Sequence, residues 1–379
     1  MARCQYLEAM RRIALVNPYS AGSHAQWAQG MARELPAAAK KMGRGLTVEV
    51  FSLPGRHWKW RMHAAALTLV ARMEEAGLFE AGVDAYIVTD MLDVGQFRSA
   101  LPPAERSKPV VLYFHENQLT FPAHPERPAE AWDRHYAFMN VTGALLADAV
   151  WFNSVYHRNL FLEALPAFMS AFPSPRPTDS AAVIAAKSKV IPIGIEDDVF
   201  TAGKVDGPGR FGEGPPVVAW NHRWEYDKGP AAFLACLDAA AAEGLAFRLA
   251  VMGQSFDQVP EAFGLLRQRH ADRIVSWGHL ESRAEYVEAL RSSDVALVTA
   301  HHDFFGISVL EAAAAGLEIV APRALAYPEH FGADVLCARS DLEAAFQSAL
   351  TRRQKRNWDV GKYAWSRVAH EAIVALLDV

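Results

Sequence analysis

A rhythm of short apolar, β-branched runs, each bounded by turn residues and followed by a helix-length segment, constrains this chain more than any other feature. The first half carries RRIALVN (11–17), VEVFS (48–52), DAYIVTD (84–90), PVVLYF (109–114), DAVWFNS (148–154) and SKVIPI (188–193). The second half repeats it with PVVAWN (216–221), FRLAVMG (247–253), RIVSWG (273–278), DVALVT (294–299), LEIVAP (317–322) and a weaker VLCA (335–338). Apolar runs of this length, spaced by helical segments, are how parallel strands covered on both faces read.

Between the two sets, EDDVFTAGKVDGPGRFGEGPP (196–216) is rich in Gly, Pro and charge and offers little that packs, so it reads as a linker. With 51% hydrophobic residues over 379 positions, the chain has material for two cores of roughly 150–200 residues each. The expected architecture is α/β, a pair of doubly wound, Rossmann-like domains over 1–195 and 217–355 that face each other across a cleft. The last segment, 356–379, reads as a helix that packs back on the first domain.

Ligands of such sheets bind outside the carboxyl ends of the strands. That rule singles out Asn17 with Gly22, Ser23 and His24, then Asp90, His115 to Asn117, Asn153 with Ser154, Asn221 to Arg223, and His301 to Asp303. The net charge of −5 argues against a general polyanion surface, so nucleic-acid contact would need a local basic patch. Cys4, Cys236 and Cys337 are far apart and lack metal-ligand spacing, which leaves buried thiols rather than a disulfide scaffold or a structural zinc site. The N-terminal MARCQYLEAMRR has no apolar signal core, and no stretch nears the roughly 20 apolar residues of a membrane span. A soluble cytoplasmic protein is expected.

In HHDFFGISVLEAAAAG (301–316) the leucine and alanine content predicts a helix after Gly306, ended by Gly316 in a left-handed cap. Glu311 then falls about one turn in, either beside a ligand or as an exposed or capping carboxylate. Free N–H groups around Phe305, Gly306, Ile307 and Ser308, with the helix dipole, can hold a phosphate. In WNHRWEYDKGP (220–230) Arg223 and Lys228 can neutralise a diphosphate, guanidinium as a fork and ammonium as a point charge. Salt bridges to Glu225 and Asp227 are the plainer alternative.

In the first half, YFHENQLTFP (113–122) puts His115 at the end of an apolar strand, where an imidazole meets a ligand or is satisfied structurally. NPYSAGSH (17–24) is a small-residue turn into a helix, in which Gly22 and Ser23 admit a ligand to the backbone or serve the turn alone. It is neither a dinucleotide fingerprint nor a P-loop. LPGRHWKWRMH (53–63) reads as a basic aromatic loop after the second strand. Cations interleaved with aromatics suit base stacking, phosphate gripping or cover over apolar surface.

Together these pieces resemble the retaining GT-B glycosyltransferases with an E-x7-E signature, present here as Asp303-x7-Glu311 with Asp for the first Glu. GSH (22–24), LPGRHWKWR (53–61), YFHENQL (113–119), WFNS (151–154), HRWEYDK (222–228), HDFFGISVLEA (302–312) and YPEHF (327–331) stand in the order seen in tRNA-queuosine mannosyltransferases. The similarity covers most of the chain, and Ala21 stands where that family usually has a second Gly.

The resemblance implies a GT-B fold and retaining transfer of mannose from GDP-mannose to the cyclopentenediol of queuosine in the anticodon of aspartate tRNA. Another nucleotide sugar, or a lipid, polysaccharide or small-molecule acceptor, is the alternative on the same fold. It implies that Asp303 contacts the donor hexose, Glu311 the ribose, and Arg223 with Lys228 the diphosphate. Asn221, Gly22, Ser23, Phe305, Gly306, Ile307 and Ser308 complete the donor site, and His115 lies near the sugar. Arg56, His57, Trp58, Lys59, Trp60 and Arg61, with Glu116, Asn117 and Gln118, take the acceptor tRNA. Arg223, Lys228 and peptide N–H groups would meet the charge of the departing diphosphate, so no metal cofactor is expected, and no DxD-type pair suits a bridging Mg²⁺. No nucleophile is assigned.

Overall fold

The structure, a computed structural model, describes residues 12–122, 133–200, 209–211, 213–255 and 258–379. Cys4 and most of the N-terminal segment lie outside the described residues. The chain divides into two units, Met1–Gly194 with Trp365–Val379, and Ile195–Ala364.

In the first unit the apolar runs form β1 (Arg12–Ser20), β2 (Thr47–Pro54), β3 (Ala85–Thr89), β4 (Val110–Phe114), β5 (Ala149–Phe152) and β6 (Ser188–Val190). They make one parallel sheet in the order β2-β1-β3-β4-β5-β6. Because side chains alternate across a strand, Ala14, Val16, Val88, Leu112 and Phe114 pack with Ala65, Leu69, Phe97 and Val141 from helices on one face. On the other face Trp27 of helix Gly22–Lys41 meets Tyr113 at a ring separation of 4.2 Å.

In the second unit, after a two-residue β7 (Gly209–Arg210), come β8 (Val217–Trp220), β9 (Arg248–Met252), β10 (Ile274–Gly278), β11 (Val295–Leu297) and β12 (Glu318–Val320). The sheet order is β10-β9-β8-β11-β12, again parallel. Residues 335–338 form no strand; Cys337 makes only an isolated bridge to Pro322. β7 pairs antiparallel with β13 (Gln354–Lys355), a ribbon too short to leave a pattern in the sequence.

The structure differs from the expected linker. Residues 201–208 and 212 lie outside the described residues, but the flanks belong to the second unit. Val199 is fully buried, and Phe211 joins that unit's core. These two apolar side chains tie the described flanks to the second unit. The expected helix over 356–379 is also shorter. Residues up to 364 stay with the second unit, where Trp358 donates from Nε1 to the Leu317 carbonyl at 2.9 Å, and the helix proper is Trp365–Leu376.

That helix packs against Gly22–Lys41 within the first unit. Trp365 lies so close to Gly30 and Gly194 that a Cβ on either would fall about 2 Å from its ring, at 2.0 and 2.1 Å. Strand order reverses between β1 and β3 in the first sheet and between β8 and β11 in the second, the crevices where open α/β sheets take ligands.

Candidate active site

The second unit's switch point gathers most of the expected donor residues. Helix Ile307–Ala314 starts after Gly306 and ends in a Schellman turn, with Gly316 N–H on the Ala313 carbonyl and Leu317 N–H on that of Ala312, both at 3.0 Å. Glu311 is buried on it. Its Oε1 accepts from Arg283 Nη1 at 2.7 Å and its Oε2 from Tyr286 Oη at 2.7 Å. Asn221, just past β8, donates from Nδ2 to Tyr286 Oη at 3.0 Å and to the Ser308 carbonyl at 2.8 Å. Arg283 and Tyr286 were not among the expected residues. They sit on helix Arg283–Arg291, whose Ser282/Glu285 capping box is legible in the sequence although its distant partner Glu311 is not.

Lys228 is buried, and its ammonium donates to the His302 carbonyl at 2.9 Å. It lies 3.1 Å from Asp227 Oδ2 and 3.8 Å from Asp303 Oδ1. Burial pushes the Asp303 carboxyl up, but the Lys228 ammonium and then the Tyr327 hydroxyl outweigh it and hold it below the usual range. His222 and His302 are each pushed down to about 4, by burial first and then by Lys228, and stay neutral. His222 Nδ1 is 2.8 Å from Ser308 Oγ. Arg223 is exposed, 3.1 Å from Glu225, with its charge bearing on His302. Lys228 thus sits inside the cluster and Arg223 at its rim. Phe305 is buried with its carbonyl bonded to His330.

In the first unit, His115 leaves β4 deeply buried, its ring 4.0 Å from that of His24 and 4.9 Å from Trp27. Among the described residues neither ring nitrogen of His115 has a hydrogen-bond partner. Burial, then His24 and His157, push its pKa well down, so the ring is neutral. Asp90, at the end of β3, accepts the His115 N–H at 3.0 Å; burial and then Glu116 push its carboxyl well up.

The loop after β4 is tied down from below. Asn153 Nδ2 donates to the His115 carbonyl at 2.8 Å, and Asn117 Nδ2 meets His157 Nε2 at 2.9 Å. Asn117 is therefore fully buried in the loop's own network, whereas Glu116 and Gln118 are only half-buried. Gly22 is exposed and Ser23 half-buried at the start of helix Gly22–Lys41. Ala21 takes an ordinary extended conformation (φ −148°), and a Cβ on Gly55 would fall 2.2 Å from its own. The alanine is accommodated because residue 55 is glycine.

The run expected as a loop is one only from Gly55 to His57, between the end of β2 at Pro54 and helix Trp58–Glu75, which takes up the rest. His57 precedes it in the left-handed region (φ 55°) without a side-chain cap, which is why no helix-start signal shows. Trp60 is 63% exposed, and Arg56 and His57 are exposed beside it. Trp58 stacks edge-on with Tyr136 at 5.1 Å, with the Lys59 ammonium 5.7 Å from each ring. His63 stacks on His135 at 5.3 Å with their planes 12° apart. Beneath them lie Met62, Met91 and Met139. Arg61 donates back to the Pro54 carbonyl at 3.3 Å. One tryptophan is thus half covered and the other presented to solvent.

Among the described residues no helix is long and apolar enough to cross a membrane, and no group of three His, Cys, Asp or Glu could hold a metal ion.

Residues 12–195 match the family described as tRNA-queuosine alpha-mannosyltransferase N-terminal, and 215–354 match glycosyl transferases group 1. The tRNA-queuosine alpha-mannosyltransferase of Drosophila melanogaster is 30% identical over 325 residues, 85% of this chain and 82% of its own. Among solved structures, Anabaena HepE in complex with UDP aligns with a TM-score of 0.60 at 15% identity, over 97% of this chain and 100% of that one. Sucrose-phosphate synthase of Thermosynechococcus elongatus aligns at 0.58 and 16%, over 97% and 95%. At such identities the likeness is one of fold, that of the GT-B glycosyltransferases.

Proposed function

The chain belongs to the tRNA-queuosine alpha-mannosyltransferase family and is a glycosyltransferase, and on that premise we propose that it transfers mannose from GDP-mannose to the cyclopentenediol of queuosine in the anticodon of aspartate tRNA, with retention. The observation that supports the donor half is the buried Lys228 ammonium, set beside Asp303 at the second unit's switch point. As the C1–O bond to the diphosphate breaks, negative charge gathers on the departing GDP, and fixed donors aimed at it supply the largest stabilisation. The Lys228 ammonium donates to the His302 carbonyl and lies 3.1 Å from Asp227 Oδ2, and a further N–H of its three meets a phosphate oxygen. Arg223 exchanges Glu225 for phosphate, and the N–H groups at the start of helix Ile307–Ala314 complete the set. These charges need no metal. Each oxygen of Glu311 keeps a lone pair beyond its bonds to Arg283 and Tyr286 for the ribose hydroxyls.

A diol oxygen attacks C1 on the face the diphosphate leaves, and its proton passes to the departing phosphate oxygen. Neutral His115 hydrogen-bonds a hydroxyl of the sugar or the diol. The face formed by Trp60, Arg56 and Arg61 takes the anticodon loop, whose unstacked bases and phosphates such side chains hold. The reaction is set in the cytoplasm with its tRNA. Incubating the purified chain with GDP-mannose and queuosine-containing tRNA, then weighing the digested nucleosides, should show queuosine gaining one hexose while UDP-sugars give none. Hexose from UDP-sugars alone would overturn the donor, and unmodified queuosine with every donor would overturn the acceptor.

A further inference from the structure

The YPEHF segment (327–331) has been given no part in the transfer itself, yet two of its side chains hold the turn that carries Asp303. Tyr327 is fully buried, and its hydroxyl donates to Asp303 Oδ2 at 3.2 Å. Its ring also backs Gly306, which has φ 83°; a Cβ there would fall 2.9 Å from Tyr327 Cε1. One helical turn on, His330 Nε2 lies 2.6 Å from the Phe305 carbonyl and Nδ1 2.6 Å from Tyr363 Oη. A carbonyl can only accept, so Nε2 carries the proton and Nδ1 accepts from the Tyr363 hydroxyl, which fixes both tautomer and ring. The turn from Asp303 to Gly306 is thereby pinned at residues 303, 305 and 306 from a single short helix.

We propose that Tyr327 and His330 are positioning residues for sugar transfer, Tyr327 fixing the Asp303 carboxylate that reads the donor sugar and His330 fixing the backbone that leads into helix Ile307–Ala314. The inference rests on the donor-site reading of Asp303. It goes further in assigning the aim of that carboxylate to a hydroxyl two dozen residues away. A one-methylene-shorter acid reaches less far, and a tethered oxygen compensates by losing no freedom when the sugar arrives.

The test compares Tyr327→Phe, His330→Gln and His330→Leu with wild type. Steady-state transfer is measured alongside calorimetric affinity for GDP and for GDP-mannose, with UDP and UDP-glucose in parallel. Losing a hydrogen bond to a charged group should lower kcat/KM of Tyr327→Phe about tenfold. Affinity for the sugar nucleotide should fall while that for the free diphosphate nucleotide stays put, because only the sugar meets Asp303. Glutamine at 330 restores a donor to the Phe305 carbonyl and should retain activity that leucine loses. Unchanged kcat/KM in Tyr327→Phe, or equal loss for both nucleotides, overturns the proposal even if His330→Leu fails to fold. Asp303→Ala separates the two layers: if it transfers sugar normally, the donor-site reading fails, whereas a crippled Asp303→Ala beside a normal Tyr327→Phe rejects the tether alone.

Discussion

Glu311 sits in a helix of Val, Leu and Ala, where an unpaired charge would be costly, and it is kept there by Arg283 and Tyr286. Its depth in the helix was legible, because Gly306 and Gly316 mark both ends. Its partners were not, since nothing local links position 311 to a helix some 25 residues earlier. Glu311→Gln keeps the volume but removes the charge. Affinity for GDP should fall about tenfold, the worth of a charge-assisted hydrogen bond, and the melting temperature should drop because Arg283 loses a buried partner. Calorimetry that returns the wild-type GDP affinity would take Glu311 out of the nucleotide site. Lys228 and Arg223 looked alike in the sequence, and only burial separates the enclosed ammonium from the rim guanidinium.

Helix Trp58–Glu75 shows how an element hides its own start. With a left-handed His57 at the cap position and no Ser, Thr or Asp to announce it, the first turn passes for a loop. As a helix it splits the two tryptophans: Trp58 turns onto Tyr136 and the methionines, and Trp60 faces solvent. His135 and Tyr136, from helix Asp133–Leu146, complete a face that no single stretch of sequence contains. Trp60→Ala should therefore leave the melting temperature alone and raise the KM for tRNA about fivefold or more, the worth of one base stack. Arg56→Ala with Arg61→Ala should raise the same KM and flatten its salt dependence while sparing donor affinity. Unaltered tRNA kinetics in both variants would make this face structural. The strands were legible by contrast, because an apolar β-branched run buried on both sides has few other places to go.

Across the whole chain, the last helix returns to the first unit, and Trp365 is the means. Gly30 and Gly194 leave room for the indole, so Gly194→Ala should overpack the contact and cost about 1–3 kcal/mol or more. Urea unfolding followed by tryptophan fluorescence measures this, and an unshifted midpoint would show that the helix is not wedged as described. The sequence alone determined the α/β class, the division into two sheets and the ends of strands where polar residues collect, since each follows from the burial of consecutive side chains. Only the tertiary structure decided which of those polar residues meet. That depends on strand order, with β8 beside β11 and β1 beside β3, and on pairs such as Glu311 with Arg283 or Asp303 with Tyr327. Such contacts join residues far apart in the chain, and the local pattern of hydrophobicity carries no record of them.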